Sequence, residues 1–167
     1  MRIVDVDFFN KPARELAPLL LGKVLCRKID GEVLRVKITE VEAYCGENDS
    51  ACHSSRGKTE RTKVMWEQGG VAYVYLCYGM HNMFNIVCSG DEPQAVLIRG
   101  VEGAKGPGRV TKLLGVTRLH NGVDLKTSSE LWLEDAPKIS NFHSDPRIGI
   151  DYAAEPDKSA PLRFWIE

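Results

Sequence analysis

Leu34, Val36 and Ile38 alternate with Arg35, Lys37 and Thr39, the period of a half-buried strand. The same count runs on into Glu40, Glu42 and Tyr44. Two carboxylates therefore take positions on the face that the pattern assigns to core. Strands are predicted over 23–29 and 33–44, with Asp30-Gly31 as the turn between them. Upstream, residues 10–21 read as a helix, with Asn10 for its cap, Pro12 in its first turn and Gly22 past its end. Residues 45–70 are polar and irregular, and so long a loop in a compact domain is usually functional. The stretch GGVAYVYLCYGMHNMFNIVC flanks YGMH with β-branched and aromatic residues, which predicts a hairpin with Gly79 at its tip. Further strands are expected over 94–101, at LWLED and at PLRFWI, and KGPGRVTKLLG reads as a glycine-rich turn entering a short helix. Strands joined by short turns favour an antiparallel sheet with few helices, an α+β fold. The polar junction near 120–130 separates no second core, so residues 1–167 read as a single domain.

The length of 167 residues allows one domain that buries about two-thirds of its unfolded surface. The N-terminal stretch lacks the pattern of a signal peptide. The apolar run LAPLLLG is too short to span a membrane. Five cysteines without CxxC spacing point to a reduced, intracellular protein, cytoplasmic if bacterial or archaeal. A formal net charge of −1 gives no sign of a nucleic-acid partner, but its distribution does. Residues 53–63 hold four bases and one acid, residues 99–118 five bases and one acid, and residues 130–157 seven acids and two bases. Two readings stand: the basic segments meet on one face as a binding patch, or they are solvated loops.

Candidate chemistry lies in the same segments. A carboxylate at an inward-facing strand end has its pKa raised unless donors or cations oppose burial, which makes it a candidate general base. The alternative is a structural Glu–Arg pair or a bulge that turns one carboxylate outward. Tyr73 and Tyr75 share a strand face, either as half-buried core or as walls that stack on a planar ligand. Tyr78 stands beside the predicted tip with Met80 and His81, an aromatic placed as a wedge for stacked bases is placed. Gly106-Pro107-Gly108 before Arg109 and Lys112 can offer backbone N–H groups to a phosphate, or is plain turn chemistry. Cys45, Cys52 and His53 have poor spacing for zinc, and no metal or cofactor is expected.

The segments TEVEAYCGENDSACHSSRG, YVYLCYGMHNMFNIV, VLIRGVE, GPGRVTKLLG, NGVDL, LWLE and PRIGIDYA…PLRFW resemble, in that order, the alkyladenine (3-methyladenine) DNA glycosylase family. The resemblance runs from about Phe8 to Ile166. It implies a curved antiparallel sheet with flanking helices and a protruding hairpin that enters the DNA minor groove. It also implies a monofunctional enzyme that flips damaged purines out of duplex DNA and hydrolyses the N-glycosidic bond to start base excision repair; nothing in the sequence demands more than a monomer. By position, Glu42 corresponds to the general base and Arg99 to an arginine near the catalytic water. Tyr44, His53 and Tyr75 correspond to walls of the flipped-nucleotide pocket. Asn85 corresponds to an asparagine that crowds the 2-amino group of guanine. Tyr78 corresponds to the tyrosine that fills the gap in the duplex, with Met80 and His81 beside it. Glu40 reads as a supporting acid. Asn82 and Met83 stand where the family pattern has an aromatic and often a cysteine, a departure that bears on lesion preference rather than on the reaction. Glu42 at an inward position is then explained if that face becomes the pocket floor. The alternatives are a nucleic-acid binding module on the same scaffold without catalysis, and a protein directed at RNA or a small molecule.

Overall fold

Strand β2 (Glu32–Tyr44) is the spine of the molecule, thirteen residues long. The computed structural model describes residues 1–88 and 91–167. The first half of β2 pairs with β1 (Val24–Ile29), and its second half pairs with β5 (Gln94–Val101) on one edge and β9 (Arg163–Trp165) on the other. The hairpin of β3 (Ala72–Cys77) and β4 (His81–Cys88) extends the sheet beyond β5. β7 (Leu131–Glu134) closes the other end on β1. Short β6 (Ala104–Lys105) pairs with β5, and β8 (His143–Asp145) with β9. Every described pairing is antiparallel, and the sheet curls into a half-barrel. With three short α-helices among the described residues the fold is α+β, as expected. No described helix is long and apolar enough to cross a membrane.

The pairing of β2 with β5 slips between Ile38 and Val41. This bulge changes the meaning of the alternation. Before it, Val36 and Ile38 point into the main core; after it, Val41 and Ala43 do. Both strands change parity here together, since Val101 and Ile98, three residues apart on β5, face the core as Ile38 and Val41 do. Glu42 and Tyr44 therefore lie on the face opposite Ile38, and the expectation that they continue the face of Val36 and Ile38 is corrected. The bulge fits against a glycine. A Cβ on Gly100 would lie 3.0 Å from Thr39 Oγ1 and 3.1 Å from Glu40 Cβ.

The core face of the sheet carries Val74, Phe84, Ile86, Val96 and Ile98 besides Val41 and Ala43. Helix α2 (Ala13–Leu20) covers it with Ala13, Leu16, Ala17 and Leu20, the i, i+3, i+4, i+7 stripe of an amphipathic helix. Each fully buried leucine contributes about 1.5–3 kcal/mol. The predicted cap is corrected: Asn10 ends a separate turn, α1 (Val6–Phe9), and Pro12 is the residue preceding α2. The Ala13 N–H finds its acceptor far away in sequence, on Gln94 Oε1 at 2.7 Å. Helix α3 (Pro107–Leu114) begins at the GPG turn as expected and buries Val110 and Leu114.

Candidate active site

The sheet face away from the main core carries a row of residues in register: Tyr73 opposite Asn85, Asn85 opposite Leu97, and Leu97 opposite Glu42. Tyr44 and Tyr75 follow on the same face by alternation. Residues 45–70 fold over this face and contain two 3-10 turns, His53–Arg56 and Lys63–Trp66. Tyr44, His53, Tyr73, Tyr75 and Asn85 line one recess, together with Tyr152. Tyr73 is 2% exposed, so it is both core and wall. His53 and Tyr75 have ring centroids 4.5 Å apart, and His53 Nδ1 shares a 3.0 Å hydrogen bond with the Tyr73 hydroxyl. Burial, reinforced by Arg61 and Arg56, lowers His53 to about 4. Its ring is neutral at pH 7.

Glu42 is fully buried. Its Oε1 accepts the Tyr44 hydroxyl at 2.8 Å and its Oε2 accepts the Ile148 N–H at 2.7 Å. Arg99 Nη1 stands 3.8 Å from Oε2. Burial pushes the Glu42 pKa up, while Arg99, the Ile148 N–H and the Tyr44 hydroxyl pull the other way. Each carboxylate oxygen has a second lone pair beyond the one that these donors occupy. Tyr44 stays protonated, because burial and the neighbouring carboxylate raise its pKa well above the ordinary tyrosine value. Glu40 has another role. Its Oε2 accepts Arg163 Nη1 at 2.8 Å, and Arg163 Nε donates to the Pro146 carbonyl at 3.1 Å. Glu40 thus ties β2 to β9 and to the segment before Ile148.

That segment holds residues that the sequence pattern did not single out. Arg147 is buried and clamps Asp49 through both terminal nitrogens, at 2.6 and 3.0 Å. It also donates to the Ala43 carbonyl at 3.0 Å, and its guanidinium lies 4.9 Å from the Tyr44 ring centroid. Asp49 in turn accepts the N–H groups of Cys45 and Ala51 at 2.9 and 3.1 Å. One ion pair therefore sets the turn after β2, the Tyr44 ring and the Ile148 N–H. Tyr152 adds an aromatic wall, with its hydroxyl donated to the Ala51 carbonyl at 3.0 Å. The sequence signal for Arg147, Ile148 and Tyr152 was their place inside the PRIGIDYA motif, and for Asp49 its place inside TEVEAYCGENDSACHSSRG.

Outside the recess, a cleft of about 910 Å³ runs from Glu42 and Arg99 past Tyr75 to Tyr78. Arg61, Lys105 and Arg109 line it. Cations from both basic segments thus meet in one cleft, although the chain as a whole is slightly acidic. The tip of the hairpin closes with a hydrogen bond from the Met80 N–H to the Cys77 carbonyl at 3.1 Å. φ is positive at both Tyr78 (52°) and Gly79 (65°), as in a type I′ turn. A tyrosine in this conformation costs about 1–2 kcal/mol that glycine avoids. Its side chain is 90% exposed, and Met80 is 74% exposed. His81 is not at the tip. It opens β4 and packs on the first turn of α3, where a Cβ on Gly108 would meet its Nδ1 at 2.8 Å.

A buried, donor-supported carboxylate thus lies below an aromatic recess and a basic cleft. The comparison with known families narrows the class. A model described as methylpurine-DNA glycosylase (MPG) matches residues 7–104 and 102–167. A protein of Methanocella arvoryzae is 42% identical over 186 residues, covering 99% of this chain and 92% of the relative. One of Borreliella afzelii is 47% identical over 178 residues, covering 98% and 96%. One of Myxococcus xanthus is 42% identical over 178 residues, covering 99% and 91%. All three carry names that place them among the 3-methyladenine DNA glycosylases. The chain belongs to the methylpurine-DNA glycosylase family, and so is a monofunctional DNA N-glycosylase.

Proposed function

We propose that the protein excises alkylated or deaminated purines, of the 3-methyladenine, 7-methylguanine, hypoxanthine and ethenoadenine class, with Glu42 as the base that activates water. The supporting observation is the state of Glu42: fully buried, yet held by a hydroxyl, a backbone N–H and a nearby guanidinium that all favour its charged form. A purine methylated at N3 or N7 carries positive charge and departs as a neutral base with the electron pair of the C1′–N bond. Hypoxanthine and ethenoadenine depart in the same way once the ring has taken up a proton from solvent. C1′ develops oxocarbenium character. The oxygen of a water bonds to C1′, and the proton it sheds goes to Glu42. General-base action of this kind is worth about 10²–10⁴-fold. Arg99, close to Glu42 Oε2, holds the carboxylate ionised and helps to orient that water.

The remaining residues serve access. A base in a duplex is reached only by flipping, at a few kcal/mol, and at less for damaged or mispaired bases. Tyr78 on its exposed turn fills the space left behind, with Met80 as apolar flank and His81 bracing the hairpin on α3. Tyr44, His53 and Tyr75 receive the base, and Asn85 crowds the 2-amino group of guanine, which disfavours intact guanine while the charged ring of 7-methylguanine still departs readily. The Asn85 amide nitrogen donates to the Tyr73 carbonyl at 3.2 Å, which directs the amide oxygen away from that carbonyl and favours a rigid barrier.

The test is base release from methylated, hypoxanthine and ethenoadenine duplexes by wild type and Glu42→Gln side by side at low salt. Wild type is expected to release at least one of these bases. Glu42→Gln is expected to bind the lesion and to release it at least about 10²-fold more slowly. Full activity of a folded Glu42→Gln protein would sink the role assigned to Glu42.

A further inference from the structure

We infer that the turn at Arg118–Leu119 is a contact for the undamaged strand of the duplex, a surface that goes beyond the lesion pocket and rests on the DNA-repair reading above. Leu119 is 91% exposed, an apolar side chain presented to solvent by a rigid support. It lies in the 3-10 turn Arg118–His120, which is capped from both directions: Thr117 Oγ1 accepts the Leu119 N–H at 3.2 Å, and His120 Nδ1 accepts the Thr117 N–H at 3.1 Å. His120 is buried. The following residues are bound to the outer edge of β3. Asn121 Oδ1 accepts the Val74 N–H at 2.9 Å, and the Gly122 N–H and Val123 carbonyl bond to both backbone groups of Ala72 at 2.8 Å. The turn and the hairpin are thus one unit.

Their relative position identifies the occupant. Successive strand residues point to opposite faces. Tyr75 faces the aromatic recess, whereas Asn82 and its cross-strand partner Leu76, which also borders the basic cleft, line a second groove with Thr117, Arg118 and Leu119. A neighbouring groove carries the same surface from Asn82 and Thr117 to Met80 and Lys112. A hairpin whose tip fills the space left by a flipped base has one strand of the duplex on each side. The strand with the flipped nucleotide lies toward the recess, so the other lies along the Met80–Leu119 side. That side offers what a nucleic-acid strand takes up: cations of Arg118 and Lys112 for phosphates, and exposed Leu119 and Met80 for sugars and base edges.

The experiment compares Leu119→Ser and Arg118→Gln with wild type on one ethenoadenine lesion, presented in duplex and in single-stranded oligonucleotide. Both side chains are exposed, and unchanged thermal melting will verify the fold. Each variant is expected to lose about tenfold in kcat/KM on the duplex, the scale of one modest specific contact, and less than about twofold on the single strand. Arg118→Gln should also reduce the salt slope of duplex binding by about one, which Leu119→Ser should not. Equal losses on both substrates, or no loss on either, would overturn the assignment. Failure of wild type on every lesion of the preceding panel would instead remove the underlying DNA-repair reading.

Discussion

At the scale of the residue, Glu42 is subject to opposed influences. Burial raises its pKa, and Tyr44, Ile148 and Arg99 restrain the rise. Tyr44→Phe keeps a ring for stacking and removes one donor. Glu42 then becomes harder to ionise, and its pKa rises further. A general base works when deprotonated, so the ascending acid limb of the kcat–pH profile is expected to move to higher pH. The rate at neutral pH should fall about tenfold, consistent with the ~1.5–3 kcal/mol of a hydrogen bond to a charged group. A lower rate with an unmoved limb would mean that Tyr44 acts by stacking alone.

At the scale of the element, the bulge in β2 decides which face the carboxylate occupies. Its partner Gly100 is crowded by Thr39 and Glu40. Gly100→Ala must shift β2 or β5 to make room. Overpacking of this kind typically costs about 1–3 kcal/mol, to be read from the urea midpoint at constant m-value. Because Glu42 lies two residues beyond the bulge, kcat should fall as well. Normal stability and normal kcat together would show that the bulge is plastic and does not position the carboxylate. The hairpin tip follows another rule. Tyr78 accepts an unfavourable φ where asparagine or glycine is usual, which supports the wedge role proposed for it.

At the scale of the molecule, the Asp49–Arg147 pair joins the loop after β2 to the C-terminal segment across 98 residues of sequence. Both partners are buried. Asp49→Asn would leave a guanidinium without a counter-charge, and a buried pair broken on one side costs about 3–5 kcal/mol. Chemical denaturation should register that loss. Ile148 adjoins Arg147, so its N–H should drift from Glu42 and kcat should fall beyond what lower stability explains at a temperature where the variant is folded. A destabilised variant with wild-type kcat would show that the pair holds the fold without holding the site.

The amino-acid sequence by itself determined the α+β class and the positions of β1, β2, the YGMH hairpin and α3, while its resemblance to a family singled out candidates such as His53 and Asn85. Those features rest on local period, turn chemistry and short motifs, all of which lie within a few neighbouring residues. Only the tertiary structure decided which face Glu42 occupies, because a bulge is invisible to a count of alternating positions and requires a partner strand to define it. The cap of α2 passed from Asn10 to Gln94 for the same reason: the acceptor that reaches Ala13 is brought there by the sheet. Arg147, Asp49 and the Ile148 N–H escaped notice because their roles consist of contacts about a hundred residues apart. Desolvation and ion pairing depend on what surrounds a group in space, and that surrounding exists only once the chain has closed on itself.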